Sequence, residues 1–125
     1  VPNDFSFYQE FLLEEKLIPD EFWIALPDHL SYFDKDSLSA LCFSTGWEKA
    51  DMVADFPIDL FLANQHSNYV IDRSKGKEAH KVRVKLENLF HSISPEKTNS
   101  FYRSMAELGF GRQITGFFTA KAIAK

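Results

Sequence analysis

The segment from Ile114 to Ile123 limits what this chain can fold into more than any other stretch. Ile114, Phe117, Phe118, Ala120 and Ala122 put apolar side chains on both faces of an extended chain, as in a strand buried between two layers. A strand of that kind needs neighbours on both edges, because a buried backbone group left unpaired is costly. One partner is legible. From Trp47 to Phe56 the chain alternates, with Ala50, Met52, Ala54 and Phe56 on one side and Lys49, Asp51, Val53 and Asp55 on the other. That is the period of a half-exposed strand, and Pro57 stops it. Two strands alone make a marginal sheet. The chain is therefore expected either to self-associate through the unpaired strand edge or to depend on further strands.

Between these segments the signals are helical. Ser6 to about Leu17 carries Phe7, Tyr8, Phe11 and Leu12 on a partly periodic face, and Pro19 ends it. Glu21 to Phe33 is an aromatic-rich loop, with short extended pieces expected around Trp23 to Leu26. Asp34 is placed to cap the next helix, and Asp36 adds negative charge to its first turn. Leu38, Leu41 and Cys42 form its stripe, and Gly46 can take the left-handed conformation that closes it. Ile58 to Ala63 suits a short helix, followed by a polar loop from Asn64 to Lys77. Ala79, Val82, Leu86, Leu89 and Phe90 then recur at helical spacing, opposite Lys77, Lys81 and Lys85. Ser94-Pro95-Glu96 starts a last helix with Phe101, Met105 and Leu108 as its stripe, ended by Gly109.

Composition narrows the class. At 125 residues, 45% hydrophobic and 26% charged, the chain suits one ordinary globular domain rather than a disordered segment. Thirteen phenylalanines point to a bulky aromatic core or an apolar interface. A net charge of −4 with scattered basic residues disfavours nucleic-acid binding, which needs a positive patch. The single cysteine, Cys42, cannot form an internal disulfide and fits a reducing compartment. No apolar run approaches the roughly 20 residues of a membrane span, and no signal peptide opens the chain. A cytoplasmic protein without membrane contact is the expectation.

Several motifs, in order, resemble the C-terminal half of class I S-adenosylmethionine-dependent methyltransferases, in the small-molecule or sugar-type branch. Val1-Pro2-Asn3-Asp4-Phe5 is similar to the tail of their fifth strand. The run from His29-Leu30 through Tyr32-Phe33 to Ser37-Leu38 resembles the loop and helix that lead into strand six. Gly76, Ala79-His80, Arg83-Val84 and Glu87 resemble a helical insertion after that strand, and Ala106 to Arg112 the lead-in to the last strand. The resemblance implies an α/β fold: the C-terminal portion of a Rossmann-like enzyme, mostly helical here, with an antiparallel strand pair. Within a single unit, 1-5 would be the tail of a central strand, 6-46 helices and loop, 47-56 a strand, 58-110 a helical insertion and 113-123 the last strand, inserted antiparallel between strands five and six. The glycine-rich turn and the acidic residue that hold the cofactor in such enzymes are absent. Gly109 and Gly111, the one close glycine pair, follow a helix. The chain also opens at Val1 without an initiator methionine. A fragment is expected, inactive alone, with S-adenosylmethionine bound mainly by the missing N-terminal half and a small-molecule substrate as partner.

Candidate chemistry centres on His29, which lies in a loop downstream of the fifth-strand tail. Histidine titrates near working pH, as a general base that deprotonates a methyl acceptor should; the other reading is a residue that hydrogen-bonds the following helix. Tyr32 belongs to the same loop. Asn3 and Asp4 follow the strand end where open α/β sheets place ligands, or else form an ordinary turn. His66, Asn68 and Tyr69 form a polar aromatic loop, and His80 and Arg83 lie i, i+3 on a helix. With Arg112 they would line a pocket for a sugar or a phosphorylated substrate, since arginine recognises anions bidentately; the plain alternative is a solvated face. The histidines and cysteine show no metal-ligand spacing, and no serine elbow occurs. A second class of function is a non-catalytic helical module that binds a protein partner.

Overall fold

A computed structural model of the chain describes residues 1–122. The order is α1 (Phe7–Glu14), α2 (Lys35–Ser44), β1 (Trp47–Ala54), a 3-10 turn (Ile58–Ala63), α3 (Gly76–Ile93), α4 (Pro95–Leu108) and β2 (Ile114–Ala120), with a second short 3-10 turn at Arg73–Lys75. The domain is mixed α/β.

The helix boundaries follow their caps. Ser6 accepts from the Gln9 amide while the Gln9 side chain accepts from the Ser6 amide, closing a capping box on α1. The expected helix to Leu17 stops earlier, at Glu14, because Lys16 takes a left-handed φ of 57°. That turn sends Leu17 and Ile18 into the first core. Asp34 caps α2 with a reciprocal Ser37 bond, and Gly46 (φ 94°) follows its last turn. Ser94 and Pro95 open α4, and Gly109 (φ 80°) closes it. No strand forms between Trp23 and Leu26; that stretch is turns and irregular chain.

β1 and β2 pair antiparallel, Trp47 opposite Ala120 through Ala54 opposite Ile114, with a bulge between Lys49 and Asp51. The bulge corrects the alternation read from sequence. Ala50 is the extra residue and is exposed, whereas Met52, Ala54 and Phe56 are buried as the period requires. Helices α2 and α4 cover one face of the pair, where Leu38, Met105 and Phe118 pack against Met52, Ala54 and Ala106. Arg103 on α4 ties to Asp51 on β1 through bonds of 2.8–2.9 Å.

The other face is bare, which corrects the expectation of a strand covered on both sides. Phe117 is 52% exposed, and only Ile114 of β2 is buried. Among the described residues no layer packs over Phe117; the Ile123 end of the expected strand lies outside the described residues. Two helical stripes are kept only in part, with Ala79, Leu86, Phe90 and Met105 inward as expected. On α3, Val82 and Leu89 face solvent while Arg83, Leu86 and Phe90 turn inward beside the buried Ala79. On α4 the buried positions are Thr98, Tyr102 and Ala106 rather than Phe101 and Leu108.

A third extended segment completes the sheet at one end. Val1 and Ile114 bond to each other in both directions, Asn3 N–H donates to Arg112 O, and Pro2 bridges Gln113 antiparallel. Gln113 and Lys121 direct their backbone groups to Asp55 and Gly46, so Ile114 and every second residue after it face the opposite edge. The order across the sheet is Val1–Asn3, then β2, then β1.

A second core lies beyond this sheet end. Leu12, Ile18, Trp23 and Leu62 form it, flanked by Tyr8, Phe22 and Tyr69. The site lies at the sheet end where these two cores approach each other.

Candidate functional site

A cavity of about 360 Å³ opens where Val1–Asn3 and β1 end and β2 begins. The N-terminal segment and β1 both end there, and β2, antiparallel to both, begins there. Asp4 enters from the N-terminal segment, Trp23 and His29 from the aromatic loop, and Asp55 and Ile58 from the end of β1. Tyr69 comes from the polar loop, Arg83 from α3, and Arg112 and Gln113 from the lead-in to β2.

Local structure holds each of these. Gly111 (φ 95°) brings the Arg112 and Gln113 amides onto one Asp55 oxygen, at 2.8 and 3.1 Å. A Cβ on Gly111 would stand 2.8 Å from the Ala54 Cβ and 3.0 Å from the Asp55 carboxylate, so only glycine fits. Arg112 reaches Asp59 at 3.4 Å and lies over the Phe22 ring at 5.0 Å. Tyr69 donates a hydrogen bond to the same Asp59 oxygen. Arg83 sits 3.5 Å from Glu87, whose other oxygen accepts from Tyr102.

Burial shapes the electrostatics. It raises the Asp4 carboxyl above its usual range, against the opposing pull of His29 and Arg112. Asp55 is raised by burial too, in spite of its two amide donors. Asp59 is raised for the same reason, with Arg112 and Tyr69 working against the shift. The Tyr69 hydroxyl is held far above its normal range by burial and then by the Asp59 charge.

Three buried nitrogens of the lining have no hydrogen-bond partner among the described residues: Trp23 Nε1, His29 Nδ1 and Arg83 Nε. Buried polar atoms are almost always paired, and each orphan costs about 1–3 kcal/mol. All three belong to residues that line the cavity, and Arg83 Nε stands 3.5 Å from Glu87 Oε2.

Of the residues singled out from sequence, Asp4, His29, Tyr69, Arg83 and Arg112 meet here. Asn3 is buried nearby, but its amide donates to the carbonyls of Gly109, Phe110 and Gly111 and anchors the glycine turn. Asn68 bonds Leu17 and Leu62 carbonyls and accepts from the Val70 and Ile71 amides, so its polar atoms are spent on the fold. Tyr32 donates to the His29 carbonyl and accepts from the Ala25 amide, which shapes the loop carrying the imidazole. His66 and His80 are exposed and line none of this cavity. Trp23 and Asp55 were not singled out. Trp23 lies in a loop without periodicity, and Asp55 falls on the polar side of the β1 alternation.

The arrangement can bind a small polar molecule and present it to an imidazole and two carboxylates. Among the described residues no group of three or more His, Cys, Asp and Glu is arranged to hold a metal ion, and no helix is long and apolar enough to cross a membrane. Comparisons with protein-family models, with curated proteins and with solved structures find no match.

Proposed function

We propose that this chain forms the acceptor side of an S-adenosylmethionine-dependent methyltransferase acting on a small polar molecule of the sugar type. One observation carries the reading: the order Val1–Asn3, β2, β1, with β2 antiparallel to both neighbours and a polar cavity at the carboxyl ends of those neighbours. That order suits a last strand inserted between two strands of a larger sheet. The open length of the β2 edge beyond Ile114 suits a strand running up to Val1.

The residues present do not make a site for S-adenosylmethionine. The Gly109–Gly111 turn joins a helix to a strand, and its space is filled by Ala54 and Asp55. The methyl donor belongs to residues outside the chain, and the chain's own part is to bind and orient the acceptor. His29 takes the proton from the acceptor hydroxyl, with the Asp4 carboxylate nearby to stabilise the imidazolium. Arg83, Trp23 and Asp55 hold the rest of the molecule.

Methyl transfer from labelled S-adenosylmethionine to a panel of monosaccharides and nucleotide sugars, using the full-length gene product, tests this. His29→Gln should cut turnover about 100- to 10,000-fold, the usual contribution of a general base. Full activity in that variant would remove His29 from the mechanism, and no transfer to any acceptor would remove the reading. The alternative, a non-catalytic interaction module, draws support from apolar side chains at the surface: Leu30 is 82% exposed, Phe7 and Ile93 73% each. It predicts no transfer.

A further inference from the structure

A second concavity, of about 250 Å³, lies at the corner where α3 ends and α4 begins, and it shares no lining residue with the polar cavity. Phe90, Ile93 and Phe101 supply its apolar lining, and the Phe90 and Phe101 rings meet edge to face with centroids 5.8 Å apart. Both hydroxyls of the lining are already bonded. Ser94 accepts from the Lys97 amide, and Thr98 donates to the Ser94 carbonyl, within the cap of α4. A polar ligand would find only the Lys97 ammonium there.

The apolar surface continues beyond this corner. Leu89 lies one turn before Ile93 on α3, and Val82 two turns before Leu89, so the three share one flank of the helix. That stripe runs about 16 Å along the axis. All three side chains are exposed, Ile93 by 73%. A straight apolar stripe three turns long, ending in an aromatic hollow, matches the way one helix seats on another.

Charge selects the partner. Lys85 stands one turn before Leu89 on α3, and Lys97 one turn before Phe101 on α4. Both are exposed, and neither pairs with a carboxylate among the described residues. The acidic groups of these helices are engaged or turned away. Glu78 pairs with Lys81 at 2.6 Å, and Glu87 lies beside Arg83 and Tyr102. Glu96 and Glu107 stand roughly 120–140° round α4 from Phe101. An apolar stripe with an unanswered lysine on each helix, in a chain of net charge −4, fits an occupant whose apolar face is bordered by carboxylates. A second copy placed about a two-fold axis would instead bring four lysines into one interface, where like charges oppose pairing.

We infer that the α3–α4 corner is a docking surface for an amphipathic helix of another protein, one carrying Asp or Glu beside its apolar face. Ile93, Leu89 and Phe101 make the apolar contact, and Lys85 and Lys97 answer the carboxylates. The inference does not rest on methyl transfer.

Fluorescence anisotropy with the full-length gene product tests it. The probe is a labelled helical peptide of about five turns, with leucines on one face and glutamates bordering them. A second peptide carries lysine in place of every glutamate. Saturable binding of the acidic peptide, at least about 10-fold tighter than that of the basic one, is expected. Ile93→Ser, at an exposed position, should weaken it about 10-fold. Lys85→Glu combined with Lys97→Glu should reverse the order of the two peptides. Equal binding of both peptides, or an order unchanged by the charge reversal, would overturn the acidic partner. No binding of the acidic peptide would overturn the docking surface itself. Sedimentation, and flotation with vesicles of phosphatidylcholine and phosphatidylserine, complete the test. Dimerisation or vesicle binding that Ile93→Ser abolishes would overturn the helix partner in favour of a second copy or a membrane surface.

Discussion

Val1 and Ile114 exchange backbone hydrogen bonds in both directions, at 3.0 and 2.9 Å, on the edge of β2 that faces away from β1. Beyond that pair the edge continues through Gly116, Phe118 and Ala120 with no partner among the described residues. Alternating protection of β2 amides in hydrogen exchange follows: Thr115, Phe117 and Thr119, which face β1, should exchange slowly, and Gly116, Phe118 and Ala120 quickly. If two copies pair through this edge, the fast set becomes protected as concentration rises. Uniform protection at all concentrations would mean that the edge is covered in some other way.

Gly111 ties the site to the fold. Its φ of 95° and the 2.8 Å approach to Ala54 leave no room for a side chain. Gly111→Ala should cost about 1–3 kcal/mol from the backbone conformation alone, with the clash in addition. It should also pull the Arg112 and Gln113 amides off Asp55. Urea unfolding measures the first effect, and the chemical shifts of those two amides report the second.

The pH dependence of Asp55 has a definite sign. Burial raises its carboxyl, so the folded state holds its proton more tightly than the unfolded chain. Stability from this group is present below the ordinary carboxylate pKa and is lost as pH rises to the raised value. Asn at this position lacks that loss yet can still accept from both amides. The stability of Asp55→Asn relative to the parent should therefore increase as pH rises through that window and then level off. A flat difference from pH 3 to 7, a range that brackets the ordinary carboxylate pKa of about 3.9, would contradict it.

Leu62 and Leu12 are fully buried at the centre of the core behind Trp23. Leu62→Ala should cost about 2–5 kcal/mol. Because Asn68 bonds the Leu62 carbonyl and Trp23 packs beside it, the same substitution should broaden the Trp23 indole signal. A comparable loss of stability with that signal unchanged would separate the core from the cavity wall.

How much of this was legible depends on whether the signal is local. Helix starts were readable because Ser6, Asp34 and Ser94 cap from within their own turns. The strand pair was readable from Met52, Ala54 and Ile114, whose period survives in the structure. Ala50 was misplaced because a bulge depends on the partner strand and leaves no mark in a single strand's sequence. On α3 hydropathy placed Ala79, Leu86 and Phe90 inward correctly but misplaced Val82 and Leu89, and it assigned Arg83 to solvent although that residue lines a polar cavity. Phe117 looked like core because hydropathy assigns an aromatic residue in an apolar run to a buried face, whereas it is 52% exposed. Of the five candidates that assembled, Asp4 and Arg112 flank extended segments, whereas His29 and Tyr69 come from loops and Arg83 from α3. Trp23 stayed hidden because a loop residue has no periodicity to betray its direction.

The reading as half of a methyltransferase rests on the β2 edge belonging to a larger sheet that also holds a methyl donor. Calorimetric titration of the full-length gene product with S-adenosylmethionine tests this most directly, with the 125-residue chain alone as control. Saturable, one-to-one binding by the full-length product and none by the chain alone is the predicted result. Absence of binding to a folded full-length product, or equal binding by the isolated chain, would contradict it.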